Sequence, residues 1–325
     1  MSSSPLTRLR EWARAHPLAT AGLRWAIGLG LLASTLLWLD LQEIVDQVGQ
    51  ADPRWLGLAL LLSVAQLATM AWRWSFTATR MGLELPFGVA CREYYVAVLL
   101  NFVLPGGVLG DVARVARQTD GEARPLGLVA RSVVIERIVG QAVLWAVLLV
   151  AALVWGLHDH LAAILGTMGV VALAVIGVVL FARRPGFAQT RAGQALSRVR
   201  EELRVAVFSG IAPLVQGLSS LAGLGLLVAM FYCGAVAIGS SMTVGQALLI
   251  VPFILAATML PLTVGGWGVR ELSAMALFQL ADIPVAQGAA SAAIFGVVSL
   301  LGALPGAVPL LLQRRRPDHA PTPSP

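Results

Sequence analysis

"NFVLPGGVLGDVARVARQ", residues 101–118, decides how this chain is read. An apolar run stops at Leu104-Pro105-Gly106-Gly107, and Asp111, Arg114 and Arg117 follow within a few residues. Proline inside a helix forfeits a backbone hydrogen bond, and Pro-Gly-Gly is a turn signal. The apolar arm ahead of the break, 94–104, has eleven residues. At about 1.5 Å each it reaches about 16 Å, half of a hydrocarbon core of roughly 30 Å. The stretch after the break is too charged to finish a crossing. Together these predict a hairpin that enters a membrane, turns at about mid-depth and leaves by the same face.

The rest of the chain supports a membrane setting. Of 325 residues 58% are hydrophobic and only 12% charged, about half the charge of a soluble globular domain. The apolar segments 21–39, 55–72, 138–157, 161–182, 211–238 and 285–312 are each long enough to cross as helices. Short alternating segments, which would indicate a β-barrel, are absent from the sequence. Segment 244–282 is apolar too, but Pro252, Pro261, Gly265, Gly266 and Gly268 interrupt it and Arg270-Glu271 sit in its middle. It reads as a second re-entrant hairpin, although its longer first arm leaves two short spans open. The predicted fold class is an all-α polytopic membrane protein with about six full transmembrane helices plus two re-entrant hairpins, eight if the hairpins are counted as spans. Leu41, Ile44, Val45 and Val48 share a helical face, as do Ala192, Leu196, Val199, Leu203 and Val207. Both stretches read as interfacial amphipathic helices.

Charge sets the topology. All 23 basic residues are arginine. With both termini cytoplasmic, every arginine except Arg54 and Arg270 falls on the inner side, as the positive-inside rule requires. A sequence pI near 10.5 therefore reflects membrane flanks and anionic lipid, not nucleic acid. The expected location is a bacterial inner membrane. The expected organisation is a cytoplasmic segment 1–20, one transmembrane domain 21–313, and a disordered cytoplasmic tail 314–325. Within the domain, 21–158 and about 160–313 read as pseudo-repeats of opposite orientation, each running span, span, hairpin, span. Matching Gly/Pro interruptions in the two halves of such a repeat point to a transporter's central site.

No enzymatic motif stands out, neither GxxxxGK[ST] nor HExxH. Cys91 and Cys233 form no framework, and His158 with His160 are too few for a metal site. No metal and no cofactor is expected. What the breaks do offer is the start of a second helical arm, near Gly110-Asp111 and near Gly268. Helix starts present free N–H groups and partial positive charge, which suit a phosphate. The tip residues Gly106, Gly107, Gly265 and Gly266, with Arg114 and Arg270 beside them, would line a cavity between opposed hairpins. Simpler roles are open for each. Asp111 is a natural N-cap, and Arg114 and Arg117 suit the cytoplasmic surface. Glu136-Arg137 suits the inner end of a span, Arg270-Glu271 an ion pair that pins a hairpin, and Asn101 a partner for broken backbone.

Three stretches, "NFVLPGGVLGDVARVARQ", "RSVVIERIVG" and "LPLTVGGWGVRE", resemble the signatures of the lysylphosphatidylglycerol synthase transmembrane region, a flippase-like family. The resemblance spans roughly 20–313. It implies lipid translocation, with Arg114, Arg137, Arg270 and Asn101 toward the phosphate and Asp111, Glu136 and Glu271 as coupling or ion-pair carboxylates. The family's aminoacyl-transferase domain has no counterpart in this sequence, so an enzyme is not expected. The expected substrate is a membrane lipid with an anionic headgroup, either a phospholipid or an isoprenoid phosphate. Two alternatives stay open: a secondary transporter of a soluble solute or ion, and a non-transporting partner of a separately encoded lipid or envelope synthase. Homo-oligomerisation is open as well.

Overall fold

The computed structural model describes residues 48–104, 107–119, 124–155, 190–259 and 263–313. The expected spans 21–39 and 161–182, most of the amphipathic stretch 41–48, both terminal segments, and Pro105, Gly106 and Pro261 lie outside the described residues. Among those described, all regular structure is helical: α1 (Pro53–Arg80), α2 (Phe87–Val103), α3 (Leu109–Thr119), α4 (Leu126–Val154), α5 (Arg191–Leu203), α6 (Ala212–Ala237), α7 (Val244–Ala257), α8 (Val269–Leu280), α9 (Val285–Ala303) and α10 (Ala307–Gln313).

Four helical stretches are long and apolar enough to cross a membrane: α1, α4, α6 and the run Val285–Leu312. They correspond to four of the six expected spans, with one shift in boundary. α4 begins at Leu126, not near 138. The sequence reading placed Arg131, Glu136 and Arg137 outside the bilayer because charge is costly there, but in the fold Glu136 is buried and paired. The last span is interrupted by a single 3-10 turn, Leu304–Gly306. Pro305 cannot donate a backbone hydrogen bond, and Gly306 lies so close to Tyr95 that a Cβ there would overlap the Tyr95 carbonyl oxygen. α1 starts on Pro53 with Asp52 as its cap, the Asp52 carboxylate accepting from Arg54 N at 2.8 Å.

α1 and α6 pack along each other in opposite directions. At one end Asp52 N–H donates to Ala237 O at 2.8 Å. At the other, the Arg80 guanidinium donates to the carbonyls of Val205 and Ser209 just ahead of α6. Each helix is followed by a hairpin, α2/α3 after α1 and α7/α8 after α6. The hairpins therefore enter from opposite ends of the bundle. Each also returns to the end it left: Arg124, past the end of α3, donates to Glu84 O ahead of α2, and Gln246 at the start of α7 donates to Ala281 O at the end of α8. The first arm of the first hairpin has 17 residues, not eleven. Glu93, just ahead of the predicted apolar arm 94–104, is buried in the fold.

The tips meet. Gly265, at φ 59°, faces Phe102 so closely that a Cβ would stand 3.0 Å from the Phe102 carbonyl oxygen. The packing is also symmetric. Under the exchange α1↔α6, α2↔α7, α3↔α8 and α4↔α9, every principal packed pair among these eight helices maps onto another such pair. α1·α2 maps to α6·α7, α3·α4 to α8·α9, and α4·α7 to α2·α9. The described helices of the two halves thus pack in one pattern, with their leading helices α1 and α6 running in opposite directions. α5 docks beside α4 through Arg131–Glu202, and a π-helical turn, Arg204–Phe208, leads on toward α6. Leu203 and Val207 pack on Ile135 and Val139.

The antiparallel arrangement makes a direct prediction. Glu84 and Ser241 are exposed residues in the turns that lead into α2 and α7. In a background with Cys91 and Cys233 replaced by serine, Ser241→Cys is expected to react with an impermeant maleimide on intact cells. Glu84→Cys is expected to react only after permeabilisation. Labelling of both from one side would contradict the inverted arrangement.

Candidate functional site

The first hairpin carries a buried charge cluster. α3 is pressed onto α2 at Gly110: a Cβ there would overlap the Ala97 carbonyl oxygen and lie 2.7 Å from its carbon. Gly110 N–H donates to Asn101 Oδ1 at 2.8 Å, so Asn101 satisfies the broken backbone at the turn. One helical turn on, Arg114 is completely buried. Its guanidinium lies 4.2 Å from the Trp74 ring centroid and 4.9 Å from that of Tyr94. Two aromatic contacts of this kind favour the cation through the ring quadrupoles.

Asp111 and Glu136 are the cluster's carboxylates. Arg137 Nη2 donates to both oxygens of Asp111, at 3.0 and 2.8 Å, and Arg114 Nη2 stands 2.9 Å from Asp111 Oδ1. Asp111 is thus not the N-cap that its position suggested. It is the third residue of α3 and holds two arginines. Glu136 is paired through Oε1 with Arg73 of α1, which also donates to Ser220 Oγ of α6 at 2.6 Å. Its other oxygen is 3.6 Å from Arg114 Nη2 with no hydrogen bond. Arg114 and Glu136, read from the sequence as compatible with the surface and a span end, are 0% and 1% exposed. Arg117 is also drawn inward, its guanidinium bonding Glu93 at 2.7 and 3.2 Å.

The cluster has more donors than acceptors. Arg73 Nε, Arg137 Nε and all three Arg114 nitrogens are buried without a hydrogen-bond partner, against one such oxygen on Glu136. Buried polar groups left unpaired are costly. Among the described residues three guanidinium groups also face two carboxylates, an excess of one positive charge, with the Arg137 side chain part-exposed at 42% and the Arg73, Arg114 and Glu136 side chains buried.

The second hairpin is different. Arg270, 2% exposed, bonds Glu271 Oε1 through Nε at 3.0 Å and Nη2 at 2.6 Å. Glu271 Oε2 accepts from Gly268 N at 2.6 Å. Trp267 lies beneath the guanidinium, its ring centroid 4.5 Å away. This pair is neutral, and its carboxylate holds the start of α8 as it closes the ion pair. Glu271 is the third residue of α8, as Asp111 is of α3. Gly296 is the twelfth of α9, as Arg137 is of α4, and a Cβ at Gly296 would overlap the Arg270 guanidinium. A guanidinium thus sits beside the corresponding carboxylate in both halves, reached from α4 in one and from α8 in the other. In this register Arg270, the second residue of α8, corresponds to Gly110 and not to Arg114.

Among the described residues, Arg114 and Arg270 do not line an open cavity between the hairpins. Both are enclosed by protein. A cavity of about 320 Å³ lies instead between α4 and α6, lined by apolar residues such as Val143, Val147 and Leu221. Gly107, Gly265 and Gly266 have positive φ and form the turns at the tips. Sequence reasoning missed Arg73, Trp74, Tyr94, Glu93 and Ser220. The one available signal was an arginine between two tryptophans, Trp72-Arg73-Trp74, at the expected end of a span.

Among known proteins, the profile of the lysylphosphatidylglycerol synthase TM region matches residues 25–306. No curated protein matches the chain. The profile covers most of the sequence and both charge clusters, and the fold is helical with four membrane-length apolar helices among the described residues. The chain therefore belongs to the lysylphosphatidylglycerol synthase transmembrane-region family and is a multi-pass, all-α membrane protein.

Proposed function

We propose that this protein moves a lipid with an anionic, phosphate-bearing headgroup across a bacterial inner membrane, with both termini cytoplasmic. The observation that carries the reading is the donor surplus around Arg114. A phosphate supplies acceptor oxygens and negative charge in one group, and arginine forks match its geometry. The headgroup enters between the hairpins while the acyl tails stay in the bilayer, and the two halves rock around it. Arg114 is the principal contact, with Arg73 and Arg137 beside it. Asp111 and Glu136 are the carboxylates that hold these three arginines in place. Arg270 and Glu271 hold the opposing hairpin. Family membership supports a role at the membrane, and the matched region is the transmembrane one rather than the catalytic domain.

The test is lipid translocation in proteoliposomes, read as protection of a headgroup-labelled phosphatidylglycerol from an external quencher. Loss of a charge-assisted hydrogen bond, worth about 1.5–3 kcal/mol, corresponds to roughly 10- to 100-fold. Arg114→Ala is expected to fall by that range. Arg198→Ala, on the exposed side of α5, is expected to match wild type. Equal rates for Arg114→Ala and wild type would remove Arg114 from the mechanism.

A further inference from the structure

The carboxylates in the first-hairpin cluster are not equivalent. Asp111 is engaged by Arg137 and Arg114. Glu136 faces Arg114 with an oxygen that has no hydrogen bond. An anion that fills the unpartnered edges of Arg114 therefore sits beside a fixed negative charge. Glu136 cannot easily swing away: Arg73 grips its other oxygen and is itself anchored to Ser220 on α6. Arg73 also donates to the Glu136 backbone carbonyl at 3.3 Å. Trp74 and Tyr94 confine Arg114 in turn.

The neighbouring charges do not change this balance. Glu93 is closed by Arg117, and Arg92, the third member of that group, has a half-exposed side chain. Among the described residues the cluster of Arg73, Arg114, Arg137, Asp111 and Glu136 is left with one unit of positive charge, Arg137 being its part-exposed member. One negative charge neutralises it. A second would stand uncompensated in a buried site, close to Glu136, where like charges repel strongly.

We infer that Glu136 is a specificity-determining residue that limits the pocket to a headgroup phosphate carrying a single negative charge, a phosphodiester. It works against phosphate monoesters, whose charge is about −1.5 to −2 at neutral pH. The inference rests on the proposed lipid-phosphate reading and narrows it: of the two expected classes, phospholipids fit the pocket and isoprenoid monophosphates do not.

Two lipids isolate the charge. Dioleoyl phosphatidylmethanol and dioleoyl phosphatidic acid share their tails and differ by a methyl ester and the charge it removes. The full chain, in micelles that contain both lipids and a phosphate-free diacylglycerol glucoside, is equilibrated at about pH 8, above the monoester's second ionisation near 6. Retained lipid is read by native mass spectrometry. Wild type is expected to hold phosphatidylmethanol over phosphatidic acid by roughly tenfold, about 1.4 kcal/mol of discrimination. Glu136→Gln is expected to bring the two to parity or reverse them. Asp111→Asn, which adds the same unit of charge by another route, is expected to shift the ratio in the same direction and carries the test if Glu136→Gln does not fold. Equal retention by wild type, or a ratio unchanged in the variants, overturns the inference and leaves the phosphate site standing. If neither phospholipid is held over the glucoside, the phosphate site itself is overturned, and this inference with it.

Discussion

Glu271→Ala is expected to destabilise the protein by about 3–5 kcal/mol, the cost of leaving a buried charge without its partner. Arg270 is 2% exposed, and among the described residues Glu271 is its carboxylate partner. The same substitution strips the acceptor from Gly268 N at the start of α8. Unfolding curves in mixed micelles measure the loss. The informative comparison is a double variant, Arg270→Met with Glu271→Gln. It removes both charges and keeps an oxygen for the Gly268 N–H. A neutral replacement of a buried pair is often tolerated, so this variant is expected within about 1 kcal/mol of wild type. If it also translocates lipid at a near-normal rate, the pair is a pin for the second hairpin. If it is stable and inactive, Arg270 takes part in transport directly, and the division of labour between the two hairpins proposed above is wrong.

Gly110→Ala is the second large effect. A methyl group there collides with the backbone of Ala97 and comes within 2.8 Å of Asn101 Oδ1. Backbone cannot move aside as a flexible side chain can, so α3 must lift from α2. Overpacking of this kind costs typically 1–3 kcal/mol and occasionally more, and about 3 kcal/mol is expected here. Lifting α3 also withdraws Arg114 from Trp74 and Tyr94, so translocation is expected to fall with stability. Two glycines serve as controls. Gly217 has open space around its Cβ position and Gly107 has open space but a φ of 64°. Alanine at 217 is expected to be nearly silent, and at 107 to cost about 1–2 kcal/mol through the left-handed backbone alone. A thermal-shift series over the three variants checks the order. Equal effects at 110 and 217 would mean that the close approach of α3 to α2 is wrong.

These effects also show what the sequence could and could not reveal. Both hairpins were legible because proline and glycine interrupt apolar runs too short to cross. Asp111 and Arg114 were legible because charge near such a break is rare, Glu136 and Arg137 only through the family resemblance, and the fold brings these four together. Their depth was not legible. A search for apolar windows stops at the first cluster of charges, so α4 was begun twelve residues late and α2 seven residues late. Charge enters the interior only when partners arrive from elsewhere in the chain, and those partners are set by tertiary packing. Arg73 and Ser220 are 147 residues apart, and nothing local in either segment announces the other. The contrast between the hairpins was hidden for the same reason. Both contain an arginine close to an acid, but one cluster acquires additional arginines from α1 and α4 while the other is closed within two adjacent residues.

The contact between Gly265 and the backbone of Phe102 has a mechanical consequence. Two gates hung from opposite walls and touching at their free edges cannot swing as independent doors. At the contact the Phe102 carbonyl oxygen and ring would lie 3.0 and 3.2 Å from a Cβ at position 265, so neither tip can advance on the other without displacing it. A side chain at position 265 would therefore press on the Phe102 backbone and force the two hairpins apart where they touch.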